Sequence, residues 1–155
     1  MIISSNQNNQ EIEVKTKQAT IKVSKNQILV NDLVINQAGE YDASGVACEV
    51  LEINQQIKVL IETENILFGV VNADTNVEQL PEDYTKVSIL FLFVDKTEDL
   101  KAAEMIVAKI EPQLVIYTPE KEVALDQLAN LEKVKSYKVN KNDLLAEGTK
   151  SIYLE

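Results

Sequence analysis

The residues best able to do chemistry in this chain are carboxylates. Five of them lie in its middle part: Asp74, Glu78, Glu82, Asp83 and Asp95. Carboxylate oxygens can bind Ca²⁺ or Mg²⁺ without any help from histidine. The spacing Asp74-x-x-x-Glu78 is not that of an EF-hand loop, however, and a solvated acidic loop explains the same residues.

A second pair of acids, Glu40 and Asp42, could act as general acid and base if both faced a cleft. On an extended strand the two side chains would share one face. Gly39 and Gly45 flank the pair and indicate a bent backbone. We therefore interpret Glu40 as a turn residue that hydrogen-bonds the backbone.

Histidine is absent from all 155 residues, which removes the usual general base and a principal zinc ligand. The single cysteine, Cys48, has apolar neighbours that predict a buried, unreactive thiol, as suits a reducing compartment. Ser44 lies outside any Gly-x-Ser-x-Gly pattern, although a Ser–Lys pair stays open. The four glycines form no phosphate-binding loop. The sequence thus predicts no cofactor and weighs against enzymatic activity without settling it.

The net charge of −10 predicts repulsion from phosphate backbones, so nucleic acid is not an expected partner. The only local basic cluster is interpreted as a solvated strand face: Lys15, Lys17, Lys22 and Lys25. The N-terminus lacks a charged start followed by an apolar run, and the longest apolar stretch, 89–94, is too short for a membrane span. We expect a soluble cytoplasmic protein that does not bind membranes.

The elements that must position these residues are mostly short strands. Seven segments of the first half have the alternation or the apolar content of strands: 11–15, 19–23, 28–30, 33–35, 45–53, 57–62 and 65–71. Asn31-Asp32 predicts a two-residue hairpin turn between the third and fourth of them. The last three predict an antiparallel meander.

The second half predicts an alternation of strands and helices. Residues 87–94 are almost continuously apolar, as a strand buried on both faces would be. Thr97 predicts the cap of a helix that Pro112 ends. A strand over 114–117 follows, and Pro119 predicts the start of a second helix reaching about Leu131. With closing strands over 135–139 and 150–154, the chain is predicted to be a single α+β domain over residues 1–155.

The segment 37–46 resembles a known motif. It resembles the Gly-Pro-Gly-Glu-Tyr-Glu-x-x-Gly-Val segment of bacterial zinc hydrolases with the metallo-β-lactamase fold, above all the branch similar to ascorbate-phosphate lactonases. Gly39, Glu40, Tyr41 and Gly45 match this structural motif at the same spacing. Glu111-Pro112, before the strand at 114, resembles a later element. The resemblance implies a trimmed, layered metallo-β-lactamase-like sandwich over nearly the whole chain.

The family's metal ligands do not carry over. Its His-x-His-x-Asp-His cluster should lie between the strand 19–23 and the Gly-Glu-Tyr segment, but only residues 24–34 fill that interval. Its His-x-Gly-Asp region falls near residues 69–74, and its last histidine falls near Pro119. The resemblance implies vestigial positions at Asp74, Asp95 and Pro119, with no catalytic residue and no metal ligand.

These observations predict a degenerate, metal-free protein that serves as a binding or assembly module. Loss of a loop would expose sheet edges, which tend to be paired or covered, so we expect an oligomer or a protein partner. The alternative is a metal-dependent hydrolase with a relocated site at Asp74 and Asp95, acting on a phosphorylated or acyl substrate. A small-molecule sensor that uses the old cleft is a third hypothesis, which the sequence does not separate from the first.

Overall fold

The computed structural model describes residues 1–6, 11–53, 55–119, 125–144 and 147–155. Within these residues the chain forms short strands and one α-helix. In chain order the strands are β1 (Ile2–Asn6), β2 (Glu11–Lys15), β3 (Thr20–Val23), β4 (Ile28–Val30), β5 (Leu33–Ile35), β6 (Gly39–Ala43), β7 (Val46–Glu52), β8 (Lys58–Thr63), β9 (Ile66–Asn72), β10 (Ile89–Val94), β11 (Leu114–Pro119), β12 (Glu132–Val134), β13 (Ser136–Lys138) and β14 (Lys150–Leu154). The helix is α1 (Leu100–Ile110).

The strands form two sheets. The first sheet has the order β13-β1-β2-β3-β4-β5, and the second has the order β12-β14-β11-β10-β9-β8-β7-β6. Strands β6 to β9 pair antiparallel, which confirms the predicted meander. Strands β9, β10, β11 and β14 pair parallel. The predicted α+β fold class is confirmed, with antiparallel strands first and one described α-helix between the later strands β10 and β11.

Local sequence explains the main turns. Val30 pairs with Leu33, so Asn31 and Asp32 form the predicted two-residue turn, and Asn31 has a φ of 51°. Asparagine tolerates this left-handed conformation better than most residues.

Thr97 is not the cap of α1, as the sequence had predicted it to be. It lies in a 3₁₀ turn (Thr97–Asp99), and the Asp99 carboxylate accepts a hydrogen bond from the Lys96 N–H at 3.2 Å.

The second predicted helix is wrong in its described part. Pro119 is the last residue of β11, opposite Val94, so it ends a strand and does not open a helix. The described residues that follow form only a 3₁₀ helix (Leu125–Leu128), and residues 120–124 lie outside the described ranges. Leu128, one of the apolar residues that suggested the helix, is buried. Its side chain reaches the core from the 3₁₀ helix, which is shorter than the predicted helix.

Two apolar layers hold the sheets. The larger cluster lies between them and takes side chains from both, with Phe68 and Phe91 stacked at 5.8 Å between ring centroids. The smaller cluster lies on the outer side of the second sheet, where α1 buries Leu100, Ala103, Ile106 and Ile110. The spacing of these four residues is that of one helix face. None of the described helices has the length and apolar character needed to cross a membrane.

The chain crosses between the sheets on both sides of the sandwich. Strands β5 and β6 are consecutive edge strands of different sheets, joined by residues 36–38, and β12 and β13 are joined through Lys135. The described edge strands are three to five residues long. Short edges are one way in which proteins limit unwanted strand pairing.

Candidate functional site

The three vestigial positions lie at one edge of the second sheet. Strands β9, β10 and β11 are parallel neighbours, with Asn72 opposite Phe93 and Val94 opposite Pro119. Asp74 follows β9, Asp95 follows β10, and Pro119 ends β11. The carboxyl ends of adjacent parallel strands are where open α/β sheets usually bind ligands. We call Asp74, Asp95, Asp99 and Lys25 the strand-end cluster.

Charge interactions connect the strand-end cluster. The Lys25 ammonium forms an ion pair with the Asp95 carboxylate, which joins the β3–β4 turn of the first sheet to the end of β10. The pKa of Asp74 is raised by partial desolvation, then by the carboxylates of Asp99 and Asp95, while Lys25 acts in the opposite direction. Asp74 is exposed as a whole residue, so we give more weight to its two acidic neighbours than to its desolvation. The sequence had predicted that Lys25 belongs to a solvated strand face. The ion pair shows instead that Lys25 connects the two sheets.

Two buried polar residues adjoin this cluster. Asn72 is 7% exposed and Thr75 is 3% exposed. The Thr75 N–H donates to the Asn72 carbonyl at 3.1 Å, and the Ala73 N–H donates to the Phe93 carbonyl at 2.8 Å. The side-chain oxygens of Asn72 and Thr75 have no hydrogen-bond partner among the residues that the structure describes. Polar groups at this strand end are thus less well satisfied than is usual inside a protein.

The donor atoms present do not fit a zinc site. Structural and catalytic zinc sites rely on imidazole nitrogens and thiolates, alone or with carboxylates. The chain has no histidine, and Cys48 lies in β7, packed in the layer between the sheets. Burial raises the pKa of the Cys48 thiol to about 12, so the thiol stays protonated at neutral pH. No group of three potential ligands that could hold a metal occurs in the described ranges.

The remaining candidate acids are dispersed. Glu78 lies in a 3₁₀ helix (Val77–Gln79), and Glu82 and Asp83 lie in another (Glu82–Lys86). Asp83 pairs with Lys86 at 2.7 Å. The structure therefore divides the five acids that the sequence suggested for a cation and leaves only Asp74 and Asp95 at the strand-end cluster.

The Gly-Glu-Tyr motif forms an edge hairpin. Ala43 pairs with Val46, so Ser44 and Gly45 form a two-residue turn in which both have positive φ, 53° and 74°. Such turns match the twist of the paired strands and favour glycine. The Ser44 hydroxyl accepts a hydrogen bond from the Asn31 amide at 3.2 Å, which ties this turn to the turn of the first sheet.

The sequence had predicted Glu40 to be a turn residue. This prediction is wrong, because Glu40 is a strand residue. It pairs with Glu49, and Asp42 pairs with Ala47, so β6 is extended through both acids. The strand pairing holds the backbone straight, and the bend that the glycines indicated is confined to the turn. Both acids are exposed on one face of the sheet, as their spacing of two requires.

That face carries a groove of about 540 Å³, which we call the acidic groove. It is lined by Glu40, Tyr41, Asp42, Ala47, Cys48, Glu49, Leu60, Glu62, Leu67, Asp83 and Lys86. Five of these residues are acidic and one is basic. The sequence had suggested Glu40 and Asp42 as a pair and Asp83 as one of five candidate cation ligands, but it did not indicate Glu49, Glu62 or the apolar floor. In β7 the buried residues Val46, Cys48 and Val50 alternate with Ala47 and Glu49, and this period of two is a signal that could have indicated an outward face containing Glu49.

One wall of the acidic groove depends on Gly69. A Cβ atom at this position would lie 3.1 Å from Val87 Cγ2 and 3.2 Å from Tyr84 Cε1. The missing side chain lets the Glu82–Lys86 helix approach β9 closely. Tyr84 is buried, and its hydroxyl donates to the Val70 carbonyl at 3.4 Å. This contact places Asp83 and Lys86 beside the strands.

Comparisons with known proteins identify the fold. No protein-family model and no curated protein sequence matches the chain. A solved structure from Thermotoga maritima, assigned provisionally as a zinc-dependent hydrolase of the metallo-β-lactamase superfamily, matches with a TM-score of 0.72 and 17% identity. The match covers 100% of this chain and 99% of that chain, so the likeness extends over nearly the full length of both. Such a likeness carries the fold and not the activity or the branch. The chain has the metallo-β-lactamase fold.

Proposed function

We propose that this protein is a non-catalytic binding module built on the metallo-β-lactamase fold. The observation that carries the proposal is the content of the strand-end cluster. Asp74 and Asp95 lie there with Lys25, and the chain contains no imidazole to join them. Hydrolysis through zinc needs ligands that fix the metal and lower the pKa of its bound water. The three carboxylates and the ammonium of the cluster do not supply this function.

The Lys25–Asp95 ion pair supports the proposal further. A metal ion at this strand end would have to compete with an ammonium group already paired with one of its two candidate ligands. The side chains of Lys25 and Asp95 are 25% and 36% exposed, so the pair is partly shielded from solvent. Partial shielding strengthens the attraction between the two charges relative to a fully solvated pair. Lys25 therefore neutralises the charge of Asp95 from within the chain.

Metal analysis of the purified protein tests the proposal. We expect less than stoichiometric zinc, manganese and magnesium by mass spectrometry, and no change in Tm when each metal is added. We also expect no hydrolysis of a chromogenic phosphodiester or acyl ester above the background rate. Stoichiometric metal together with hydrolysis that is lost in Asp74→Asn/Asp95→Asn would overturn the proposal and establish the carboxylate-site hydrolase. Asp32→Asn, a change at an exposed turn, is the matched control.

The proposed partner is another protein. The short edges of the sheets limit self-pairing, and the exposed edge strand β6 carries Glu40 and Asp42, which would repel the same strand of a second copy. Strand β5 exposes Leu33 (41%) and Val34 (50%), so it is the edge at which self-association would occur. Light scattering at high protein concentration distinguishes binding of another protein from self-association. We expect the mass of a monomer. If the protein is a dimer and the variant Leu33→Lys/Val34→Lys is a monomer, the proposed partner is a second copy of this chain and not another protein.

A further inference from the structure

The acidic groove is an unpartnered sheet face with a regular arrangement of charges. Strand pairing places Glu40, Glu49 and Leu60 in one row across β6, β7 and β8. A second row contains Asp42, Ala47 and Glu62 and continues to Leu67 on β9. Residues directly opposite on paired strands have side chains about 4.5–5.5 Å apart at Cβ. The groove therefore has acidic residues over β6 to β8 and an apolar strip along Ala47, Leu60 and Leu67, in which Ala47 is exposed, Leu67 is partly exposed and Leu60 is buried.

The charges of this face are not compensated within the described part of the chain. Glu40 and Glu49 are directly opposite each other, an arrangement of like charges that destabilises paired strands. No ion pair involving Glu40, Asp42, Glu49 or Glu62 occurs among the described residues. Lys86, the one cation among the described residues that line the groove, is paired with Asp83. A cationic ligand would relieve this repulsion.

The apolar strip favours an amphipathic ligand. Leu60 belongs to the cluster that α1 covers, and Leu67 packs against the same cluster. The apolar layer thus extends beyond the covered part of the sheet into the groove, where Ala47 is exposed. Only a ligand with an apolar face would gain from covering this strip, since burial of apolar surface is the main favourable term in association. A purely hydrophilic polycation would use only the carboxylates.

We infer that the acidic groove docks a cationic amphipathic segment, such as a helix with lysines or arginines along its edges, from a partner protein. This inference rests on the proposed binding role. Charge complementarity selects the occupant, because a second copy of this chain would bring a net charge of −10 to an acidic face. Helix-in-groove recognition combines apolar anchors with flanking charges in the same way.

Binding of a synthetic peptide tests the inference. The probe is a short amphipathic helix with leucines on one face and lysines on the other, and titration calorimetry measures its Kd at low and at moderate salt. We expect binding that weakens as salt is raised. The variant Glu40→Gln/Asp42→Asn/Glu62→Gln should weaken binding by at least about tenfold. The control Glu98→Gln/Glu104→Gln/Glu147→Gln has the same charge change at exposed residues outside the groove and should leave the Kd within about twofold, the scatter expected for distant surface changes.

A second variant tests the apolar strip. Ala47→Arg places a bulky cation at an exposed strand position and should abolish binding with little change in Tm. Equal binding of a peptide with glutamates in place of the lysines would overturn the inference, as would equal weakening by the control variant. Spermine that competes at the same concentration as the peptide would show that the face binds polycations in general, which also overturns it. Absence of peptide binding with a negative metal analysis removes only the docking inference, whereas stoichiometric metal with hydrolysis removes the proposed function.

Discussion

At the scale of single residues, the absence of histidine matters most at the strand-end cluster, where the sequence resemblance had placed vestigial metal-site positions. The strand-end cluster keeps two acids at the carboxyl ends of β9 and β10, but one of them, Asp95, is paired with a lysine from the other sheet. Asp74 lies beside two other carboxylates, and these raise its pKa after partial desolvation. A carboxylate in this position makes the folded state less stable when it is charged.

The first prediction concerns Asp74. Because its folded pKa is raised, the unfolded state releases the proton more readily than the folded state, and the charged form costs stability at neutral pH. Asp74→Asn should therefore raise Tm at pH 7, and the gain should shrink as pH falls and disappear below the unfolded pKa of about 4. Thermal melts at pH 7 and pH 3 measure this difference.

A matched control uses Asp32, an exposed turn residue. Asp32→Asn should leave Tm unchanged at both pH values. A drop in Tm for Asp74→Asn at pH 7, with no such drop for Asp32→Asn, would show that the Asp74 carboxylate stabilises the fold and would contradict the prediction. Asp74 is exposed, so solvent screens its charge and the expected change in Tm is modest. The difference between the two variants is therefore more informative than either value alone.

At the scale of elements, close approach and register determine what each segment does. The Glu82–Lys86 helix packs against β9 at a distance that leaves too little room for a Cβ atom at residue 69. The hairpin of the Gly-Glu-Tyr motif is an edge element whose turn hydrogen-bonds to the first sheet through Asn31. Neither feature touches the strand-end cluster directly, so the motif that carries the family resemblance has a structural explanation of its own.

The second prediction concerns Gly69. In Gly69→Ala the new methyl group would lie 3.1–3.2 Å from both Val87 methyls and 3.2 Å from Tyr84, so the Glu82–Lys86 helix must shift. Overpacking of this kind should cost about 1–3 kcal/mol of unfolding free energy in a urea titration. Val87→Ala removes both methyl contacts, so the double variant Gly69→Ala/Val87→Ala should be more stable than the sum of the single effects indicates. Strict additivity would show that the contact is not the cause.

At the scale of the whole molecule, one apolar layer joins both sheets. The cluster between them contains Ile3, Val23 and Ile28 of the first sheet together with Val59 and Phe91 of the second. Crossings of the chain on both sides of the sandwich connect the sheets covalently near their edges. A layer shared in this way favours a single cooperative transition in a domain of this size.

The third prediction is that the two sheets unfold together. Burial raises the pKa of Cys48 to about 12 and shields it, so a thiol reagent at pH 8 should label only unfolded molecules. Labelling of Cys48 and loss of the far-ultraviolet circular dichroism signal should follow the same urea curve, which also tests the predicted single domain over residues 1–155. Labelling at a urea concentration that preserves the dichroism signal would show that the second sheet opens separately. Cys48→Ala provides the background.

The sequence by itself determined the short strands, the Asn31-Asp32 turn, the buried thiol and the exclusion of histidine chemistry, because each depends on local pattern or on composition. It placed Asp74 and Asp95 after strands, and it failed over the predicted second helix, where apolar spacing alone does not distinguish a helix from a 3₁₀ turn. Only the tertiary structure decided that β9 and β10 are parallel neighbours, that Lys25 reaches Asp95 from the other sheet, and that Glu40, Glu49 and Glu62 share one face. These are contacts between residues far apart in the chain, and strand register, which local periodicity does not encode, brings them together.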